Sequence, residues 1–290
     1  MKIALVTDST ADLTPFMKEK FNTHVIPLKI HFGQQEYFDG ELTADEFYHN
    51  LKTAPELPRS SQPSPGEFIA LYEKILKQYD NIISIHLSSA LSGTVNAARL
   101  AAETLKRNIY VVDSKNISLG IGLMVEEAAR CIEEGMLASH ILERLQLVRN
   151  NLETLFTLNT LEYLYKGGRI GKVASILGSI LNIKPIVQVN SEGVYIPVGK
   201  TRSLNKALEQ IVQQIDQLAK GRKIKTLAVA HGAALGAADK LRTALEYKFN
   251  TKVAFFTQVG GVIGVHTGPG TVGAAVQFNC SPVPQQGRQV

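Results

Sequence analysis

The chain has 290 residues, of which 44% are hydrophobic and 20% are charged. These proportions exclude disordered and collagen-like classes, and the length favours two domains over one. The formal net charge is +5, with the basic residues spread along the chain, so nucleic-acid binding is not favoured. The N-terminus has the pattern of a strand and not of a signal peptide. No apolar stretch reaches the ~20 residues that a membrane span needs. The two cysteines have neither a CxxC nor a metal-binding spacing. We therefore expect a cytoplasmic protein.

Strand-like and helix-like segments alternate through the first half of the chain. Capping signals open several of the helices, as where Ser64 precedes Pro65 and Glu67 follows. Strands that alternate with helices indicate βαβ units and a parallel sheet covered on both faces. The strands are predicted at residues 3–6, 24–32, 81–87 and 108–112, and the later helices at residues 120–134 and 138–151.

The second half of the chain has a different pattern. Its hairpin signal is a turn at residues 190–193 between two apolar runs, which indicates antiparallel pairing. We therefore predict an α/β fold with an N-terminal parallel-sheet α/β domain (residues 1–150), a C-terminal mixed α+β domain (151–280) and a loose tail (281–290). The second-half strands are predicted at residues 153–157, 184–189, 195–199, 226–230 and 252–258, and the helices at residues 161–181, with a break at Gly167 and Gly168, 204–215 and 235–249.

Small hydroxyl residues follow three strands of the first half. Ligands of parallel α/β sheets bind at the carboxyl ends of the strands, so these residues point to one edge. Ser92 and Gly93 stand where a strand turns into a helix, and exposed N–H groups there favour an anion. The alternative is that each hydroxyl only caps the next helix. Ser60 and Ser61 precede the capping residue Ser64 and have no capping role, so they are freer to contact a ligand.

Two glycine-rich segments of the second half also carry polar candidates. Arg169 lies among three glycines, where it is suited to hold a carboxylate or phosphate, or else is an exposed arginine at a helix break. His266 lies in a segment of five glycines between residues 260 and 270. We predict no metal site, because no ligand spacing is present among the histidines His24, His31, His49, His86 and His140.

Six segments resemble the DegV family, the fatty-acid-binding subunits of bacterial fatty acid kinase. They occur in the order of the family and cover nearly the whole chain. Together they form a specific signal. The segments are VTDSTADL at residues 6–13, SSQPSPGEF at 60–68, LSSALSGT at 87–94, VDS at 112–114, GGRIG at 167–171 and HTGPG at 266–270.

The resemblance implies a long-chain fatty acid with its tail in a pocket of the N-terminal domain and its carboxylate at the edge between the domains. It implies carboxylate contacts from Ser60, Ser92 and His266, with serine at position 60 where the family usually has threonine. It also implies a separate ATP-binding kinase that phosphorylates the bound acid, and no cofactor on this chain. Supporting residues at the site are Ser61, Gly93, Thr94 and Arg169, and our hypothesis for the patch that docks the kinase is Lys200 and Arg202.

Three other functions stay open at this point. Ser92 and His266, with Asp8 or Asp113, would form a serine hydrolase triad, although no nucleophile elbow is present. A phosphosugar or dihydroxyacetone-type binding protein is the second, because the fold of the family is shared with such proteins. The third is a structural or regulatory module without a ligand.

Overall fold

A computed structural model describes residues 2–176 and 183–279 of the chain. The strands are β1 (Ile3–Asp8), β2 (Thr23–Ile26), β3 (Lys29–Phe32), β4 (Gln35–Phe38), β5 (Arg59–Ser61), β6 (Asn81–His86), β7 (Ile109–Asp113), β8 (Leu152–Thr157), β9 (Lys184–Val189), β10 (Tyr195–Thr201), β11 (Ile224–His231), β12 (Phe255–Gln258) and β13 (Val272–Phe278). The α-helices are α1 (Pro15–Lys20), α2 (Ala44–Thr53), α3 (Pro65–Ile75), α4 (Thr94–Leu105), α5 (Leu119–Glu133), α6 (Ala138–Arg149), α7 (Glu162–Lys166), α8 (Leu204–Ala219), α9 (Leu235–Phe249) and α10 (Gly261–Thr267).

The first half is built on a four-stranded parallel sheet in the order β2-β1-β6-β7. Every residue of β6 is buried, as expected for a strand covered on both faces. Ile82 packs on the side of α3 and α4, whereas Ile83 packs on the side of α5. The predicted parallel-sheet α/β architecture is confirmed.

The second half is built on a mixed six-stranded sheet in the order β10-β9-β8-β13-β11-β12. The predicted hairpin is present, with Tyr195 opposite Val189, and only the β11–β12 pair is parallel. Helices α8 and α9 cover one face, and the other face joins a core shared with the first half, as Leu5 and Phe156 illustrate. The boundary near residue 150 stays a prediction.

The single strand expected at residues 24–32 is wrong, because the chain changes sheets there. β2 ends at Ile26, and β3 belongs to a separate antiparallel sheet in the order β4-β3-β5. Pro27 has no N–H to donate to a ladder. The N–H of Leu28 donates instead to Ser9 Oγ at 3.0 Å. The predicted alternation of burial survives at Ile26, Leu28 and Ile30.

Two other predicted elements are shorter than expected. The helix expected at residues 161–181 is α7 followed by a 3₁₀ segment at Gly171–Ile176, because Gly168 takes a left-handed φ of 69° that ends the helix. The strand expected from residue 252 begins at Phe255, because the N–H of Val253 donates to Glu246 Oε1 at 2.9 Å. The rest of the first element, residues 177–182, and the predicted tail lie outside the described residues.

Candidate ligand-binding site

The strand-end loops of the first half meet at one edge of the parallel sheet, as the sequence predicts. β1, β6 and β7 are parallel neighbours, so the loops that follow them lie side by side. These loops form part of a cavity of about 220 Å³. Its polar lining residues are Thr10, Ser60, Ser61, Gln62, Ser92, Arg169, Tyr195, His266 and Thr267, and its apolar ones are Leu28, Leu87, Leu91, Ile117, Val262 and Ile263.

Ser60 and His266 form a hydrogen-bonded pair in the wall of this cavity. β5 pairs Ser60 with Ile30 of β3, and α10 carries His266 near its C-terminal end. Ser60 Oγ lies 2.7 Å from His266 Nε2, although 206 positions separate the two residues. Burial, assisted by the charge of Arg169, lowers the pKa of His266 to about 4. The imidazole is therefore neutral at neutral pH.

The position of the single proton on the neutral imidazole of His266 decides whether the Ser60 hydroxyl can donate to a ligand. Within the described part of the chain, the buried Nδ1 of His266 has no hydrogen-bond partner. Nδ1 is close to Gly167, where an added Cβ would lie 2.5 Å from it. A bare Nδ1 suits this site, since an N–H there would lack an acceptor. The proton then resides on Nε2 and is donated to Ser60 Oγ, which leaves the Ser60 hydroxyl proton to donate into the cavity.

Arg169 connects the two halves of the molecule at the cavity. Its Nε donates to the carbonyl oxygen of Leu91 at 3.2 Å, and its Nη1 donates to that of Gly167 at 2.8 Å. The loop that contains Leu91 also supplies Ser92, whose Oγ lies 2.9 Å from Thr94 Oγ1. A guanidinium beside serine hydroxyls and a neutral imidazole is suited to a single carboxylate.

The structure brings five of the nine predicted site residues to the cavity lining. These are Ser60, Ser61, Ser92, Arg169 and His266.

The other four predicted residues do not line the cavity. Gly93 and Thr94 lie behind Ser92, where they begin α4, and a Cβ on Gly93 would lie 2.2 Å from the Gln62 side chain. Lys200 and Arg202 are exposed near the end of β10.

Sequence reasoning missed Gln62 and Tyr195 as site residues. Gln62 lies within the recognised motif at residues 60–68, so the motif itself was an available signal. Tyr195 begins a strand in the second half, and no local pattern marks it as a cavity residue.

A second, smaller cavity adjoins the first on its apolar side. Ile117, Ile263 and Thr267 line both cavities. The inner one measures about 30 Å³, close to the share of one water molecule in the liquid, and its lining includes Phe156 and Ala230 of the six-stranded sheet. The apolar continuation thus runs between the two halves, whereas the resemblance implies a pocket inside the N-terminal domain.

A buried relay of hydrogen bonds lies in the parallel sheet beside the site. Asp8 Oδ2 is 2.9 Å from His86 Nδ1, and His86 Nε2 is 2.7 Å from Ser84 Oγ. Asp8 also accepts the N–H of Leu87 at 3.0 Å and that of Thr10 at 3.1 Å. The relay is fully buried and fixes both cavity-lining loops.

The hydrolase triad considered from the sequence is not assembled. Asp8 binds His86, and Asp113 binds Ser89 and Lys115. The Nε2 atom of His266 faces Ser60 rather than Ser92. In the described ranges, no carboxylate orients the histidine at Nδ1, as such a triad requires.

Residues 2–176 and 183–279 contain neither a metal-binding cluster nor a membrane-spanning helix. No group of three or more His, Cys, Asp or Glu side chains is placed to hold a metal ion. No helix there combines the length and apolar character needed to cross a bilayer.

The fold and the site together define a class of protein: an α/β ligand-binding protein. Its cavity lies between the two halves and is polar at one end and apolar at the other. Residues 2–279 match the family model described as uncharacterised protein, DegV family. A DegV domain-containing protein of Clostridium acetobutylicum is 37% identical over 279 residues, which is 95% of this chain and 98% of that protein. The chain belongs to the DegV family.

Solved structures of the family have the same fold. A DegV family protein from Thermus thermophilus, described by its fatty acid binding, has 35% identity and a TM-score of 0.90, with 96% of this chain and 100% of that chain covered. DegV from Bacillus subtilis, named as a fatty acid binding protein, has 36% identity and a TM-score of 0.87, with 96% and 100% covered.

Proposed function

We propose that this protein binds a long-chain fatty acid and presents its carboxylate to a separate ATP-binding kinase, without chemistry of its own. The observation that carries the proposal is the Ser60–His266 pair at 2.7 Å in the wall of a cavity that is also lined by six aliphatic residues. The Thermus and Bacillus relatives are described as binding fatty acids. This supports the same ligand class here.

The polar groups fix the orientation of the acid rather than supply most of the affinity. Ser60, Ser92 and Arg169 donate to the carboxylate, and neutral His266 holds the Ser60 hydroxyl in the donating direction. Each such contact contributes about 1.5 to 3 kcal/mol when one partner is charged. Each buried methylene contributes ~0.8 kcal/mol, so a tail of about sixteen carbons supplies on the order of 10 kcal/mol. Affinity therefore depends on the tail, and orientation on the head.

The tail follows the apolar continuation past Ile117 and Ile263 towards Ala230. The inner cavity of about 30 Å³ is far too small for an acyl chain, so the two isoleucine side chains must move apart when the tail enters. Small residues such as Ala230 leave room at this end. Chain length is then limited by the side chains of the six-stranded sheet.

Mass spectrometry of the purified protein under native conditions, followed by organic extraction, tests the function. We expect one acyl chain per protein molecule.

Ala230→Leu fills the inner end of the cavity and is expected to shift the bound acids towards chains shorter by two to four carbons (roughly one leucine side chain). A protein that carries no lipid and binds none on titration contradicts the proposal.

Ala228→Leu is the matched control for the Ala230 variant. Ala228 is buried in the same strand and core, two positions away, but does not line the inner cavity. Ala228→Leu therefore measures the effect of extra side-chain volume in the core without placing that volume in the path of the acyl tail. Equal shifts of acyl length in both variants would mean that Ala230 does not set the end of the channel.

The kinase covers the cavity mouth and extends along β10 to Lys200 and Arg202. These two residues lie at the end of β10 away from Tyr195, and five residues along a strand correspond to roughly 17 Å from Tyr195 to Lys200. They do not contact the head group from there. Their role is to attract an acidic face of the kinase.

Charge reversal at Arg202 tests this docking patch. With a purified ATP-binding fatty acid kinase subunit, Arg202→Glu is expected to lower acyl-phosphate formation at least tenfold at low salt, with unchanged fatty acid binding. Arg107→Glu, an exposed arginine beyond α4, is the control. Full turnover with Arg202→Glu would exclude Arg202 from the docking patch.

A further inference from the structure

Helix α10 brings His266 to the site, yet its own sequence is a poor helix former. It has seven residues, includes Gly261 and Gly264, and is preceded by Gly260, which has no side chain to act as a cap. Interior glycines each cost about 1 kcal/mol relative to alanine, and so short a helix is not stable alone. Its stability must come from contacts outside the helix.

The glycines of α10 lie flush against the first half of the molecule. A Cβ on Gly261 would lie 2.4 Å from Ile30 Cδ1, and a Cβ on Gly264 would lie 2.4 Å from Phe47 Cε1. These close approaches, together with the burial of Val262, Ile263 and Val265 in the core shared by the two halves, fix the body of the helix. Polar contacts at the two ends of α10 add to this packing and determine how each end is oriented.

Two carboxylates of the first half hold the N-terminal end of α10. The N–H of Gly260 donates to Asp12 Oδ1 at 2.7 Å, and that of Val262 donates to Asp39 Oδ1 at 3.3 Å. A cap side chain normally belongs to the same chain segment as its helix. Here it comes from residues more than 200 positions earlier. At the other end, His266 bonds Ser60, so both ends of α10 are tied to the first half.

The local backbone is strained to place Asp12. Asp12 has a left-handed φ of 51°, and Ser118, whose hydroxyl donates to Asp12 Oδ2, has a φ of 48° with ψ of −128°. Non-glycine residues rarely adopt such angles, and they persist where surrounding contacts over-determine them. Ser118 also lines the inner cavity.

We propose that Asp12 and Asp39 are positioning residues for the head-group site: they cap α10 from the other half of the molecule, and the charge on Asp12 sets how firmly His266 is held. The inference rests on the proposed fatty acid binding. α10 rises ~9 Å from Gly260 to His266, at 1.5 Å per residue. A cap that loosens at one end therefore moves the imidazole at the other and weakens its bond to Ser60.

The charge of Asp12 changes within the physiological range of pH. Burial raises the pKa of Asp12 to about 7, in spite of its hydrogen bonds from Ser118 and Gly260, and the charges of Asp39 and Asp8 raise it further. An ionised carboxylate is the stronger acceptor at a helix N-terminus, so the cap is firm above pH 7 and weaker below it. The polar and titratable groups that face Asp12 are Asp8 of β1, Lys18 of α1, Asp39 after β4, Tyr48 of α2, Ser118 before α5 and Gln258 of β12.

The test is the pH dependence of fatty acid affinity, measured with cis-parinaric acid by fluorescence over about one pH unit on either side of 7. Wild-type affinity is expected to fall about fivefold as pH decreases through this range. Asp12→Asn removes the charge: its Oδ1 still accepts the N–H of Gly260, and its Nδ2 donates to Ser118 Oγ, the reverse of the wild-type bond. This variant is therefore expected to bind at the lower affinity and without the pH step. Asp39→Asn is expected to move the midpoint to lower pH, because the charge of Asp39 raises the pKa of Asp12.

His266→Asn is the control that separates the cap from the imidazole. It is expected to weaken binding at every pH and keep the midpoint, since His266 does not titrate near 7. A pH step retained in Asp12→Asn, or lost only in His266→Asn, overturns the inference. A wild type that binds no acid at any pH refutes the proposed function instead.

Hydrogen exchange then tests the cap without a ligand. In Asp12→Asn, the α10 amides are expected to exchange about fivefold faster than in wild type above pH 7. Equal exchange rates in the two proteins would exclude the cap.

Discussion

Gly167→Ala is expected to weaken fatty acid binding by about tenfold to a hundredfold. The φ of Gly167 is −75°, which any residue adopts, so the effect comes from space alone. The added Cβ would lie 2.5 Å from His266 Nδ1 and 2.8 Å from the carbonyl oxygen of Tyr163. The local backbone must therefore shift slightly, and the imidazole must move by roughly 1 Å to reach ordinary contact. That shift breaks the 2.7 Å bond to Ser60, and a lost hydrogen bond of this kind is worth about 1 to 3 kcal/mol. Titration of each variant with a fluorescent fatty acid measures the loss.

A double-mutant cycle shows whether Gly167 acts through the Ser60–His266 bond. Ser60→Ala removes the same bond, so adding Gly167→Ala to it is expected to lower affinity by less than threefold more. Gly236→Ala in α9, where a Cβ meets nothing within 4 Å, is the control for a glycine substitution as such. Additive losses in the double mutant would show that Gly167 affects binding by another route.

Gly167 also shows where sequence reasoning reaches its limit. From the sequence, Gly167 and Gly168 indicate only a break in a helix, and that prediction is correct for Gly168, which has a left-handed φ. The role of Gly167 depends on a contact with a residue 99 positions later. No local pattern records such a contact, because it is created when the two halves pack together.

In the site too, local sequence patterns predict some residues, whereas contacts between distant parts of the chain are not predicted. Because β1 and β6 are parallel, the loops that follow them meet at one edge of the sheet, so the alternation of strands and helices was enough to predict Ser92 there. The pairing of Ser60 with His266 followed from family resemblance, not from spacing. The hydrogen bond from the N–H of Gly260 to Asp12 could not be predicted from the sequence. Its donor is a backbone amide, which every residue except proline has.

Residues 24–32 show how one local feature overrides a correct periodicity. Alternation predicted burial at Ile26, Leu28 and Ile30, and each is buried. Alternation does not predict which sheet a strand joins. Pro27 divided the segment because it has no N–H, and the two pieces found different partners.

Glu127 is the second position where a large effect is expected, here on stability. Its carboxylate is buried in α5, yet three cations converge on it: Arg130 at 2.7 Å, Arg144 at 2.6 Å and Lys225 at 2.6 Å. Lys225 belongs to β11, so this contact joins the halves of the molecule. Although burial raises the pKa of Glu127, the hydrogen bonds from the three cations outweigh it and lower the pKa to about 2.

Glu127→Gln is therefore expected to lower the free energy of unfolding by about 3 kcal/mol at neutral pH. Urea denaturation measures the loss, and Glu133→Gln, an exposed glutamate of the same helix, is the matched control with an expected change under about 0.5 kcal/mol. The sign of the pH dependence follows from the lowered pKa. The stabilisation is complete above the ordinary pKa of 4.5 and is lost as pH falls towards about 2, where the carboxylate protonates.

Wild type and Glu127→Gln should accordingly converge in stability as the pH is lowered from 4.5 towards 2. A constant difference between them across that range would mean that the charge of Glu127 does not stabilise the fold. Lys225→Met tests the contact between the halves separately. In a cycle with Glu127→Gln, we expect a coupling of about 1 kcal/mol between the two positions, because Lys225 is one of three cations that share the carboxylate and is itself partly exposed.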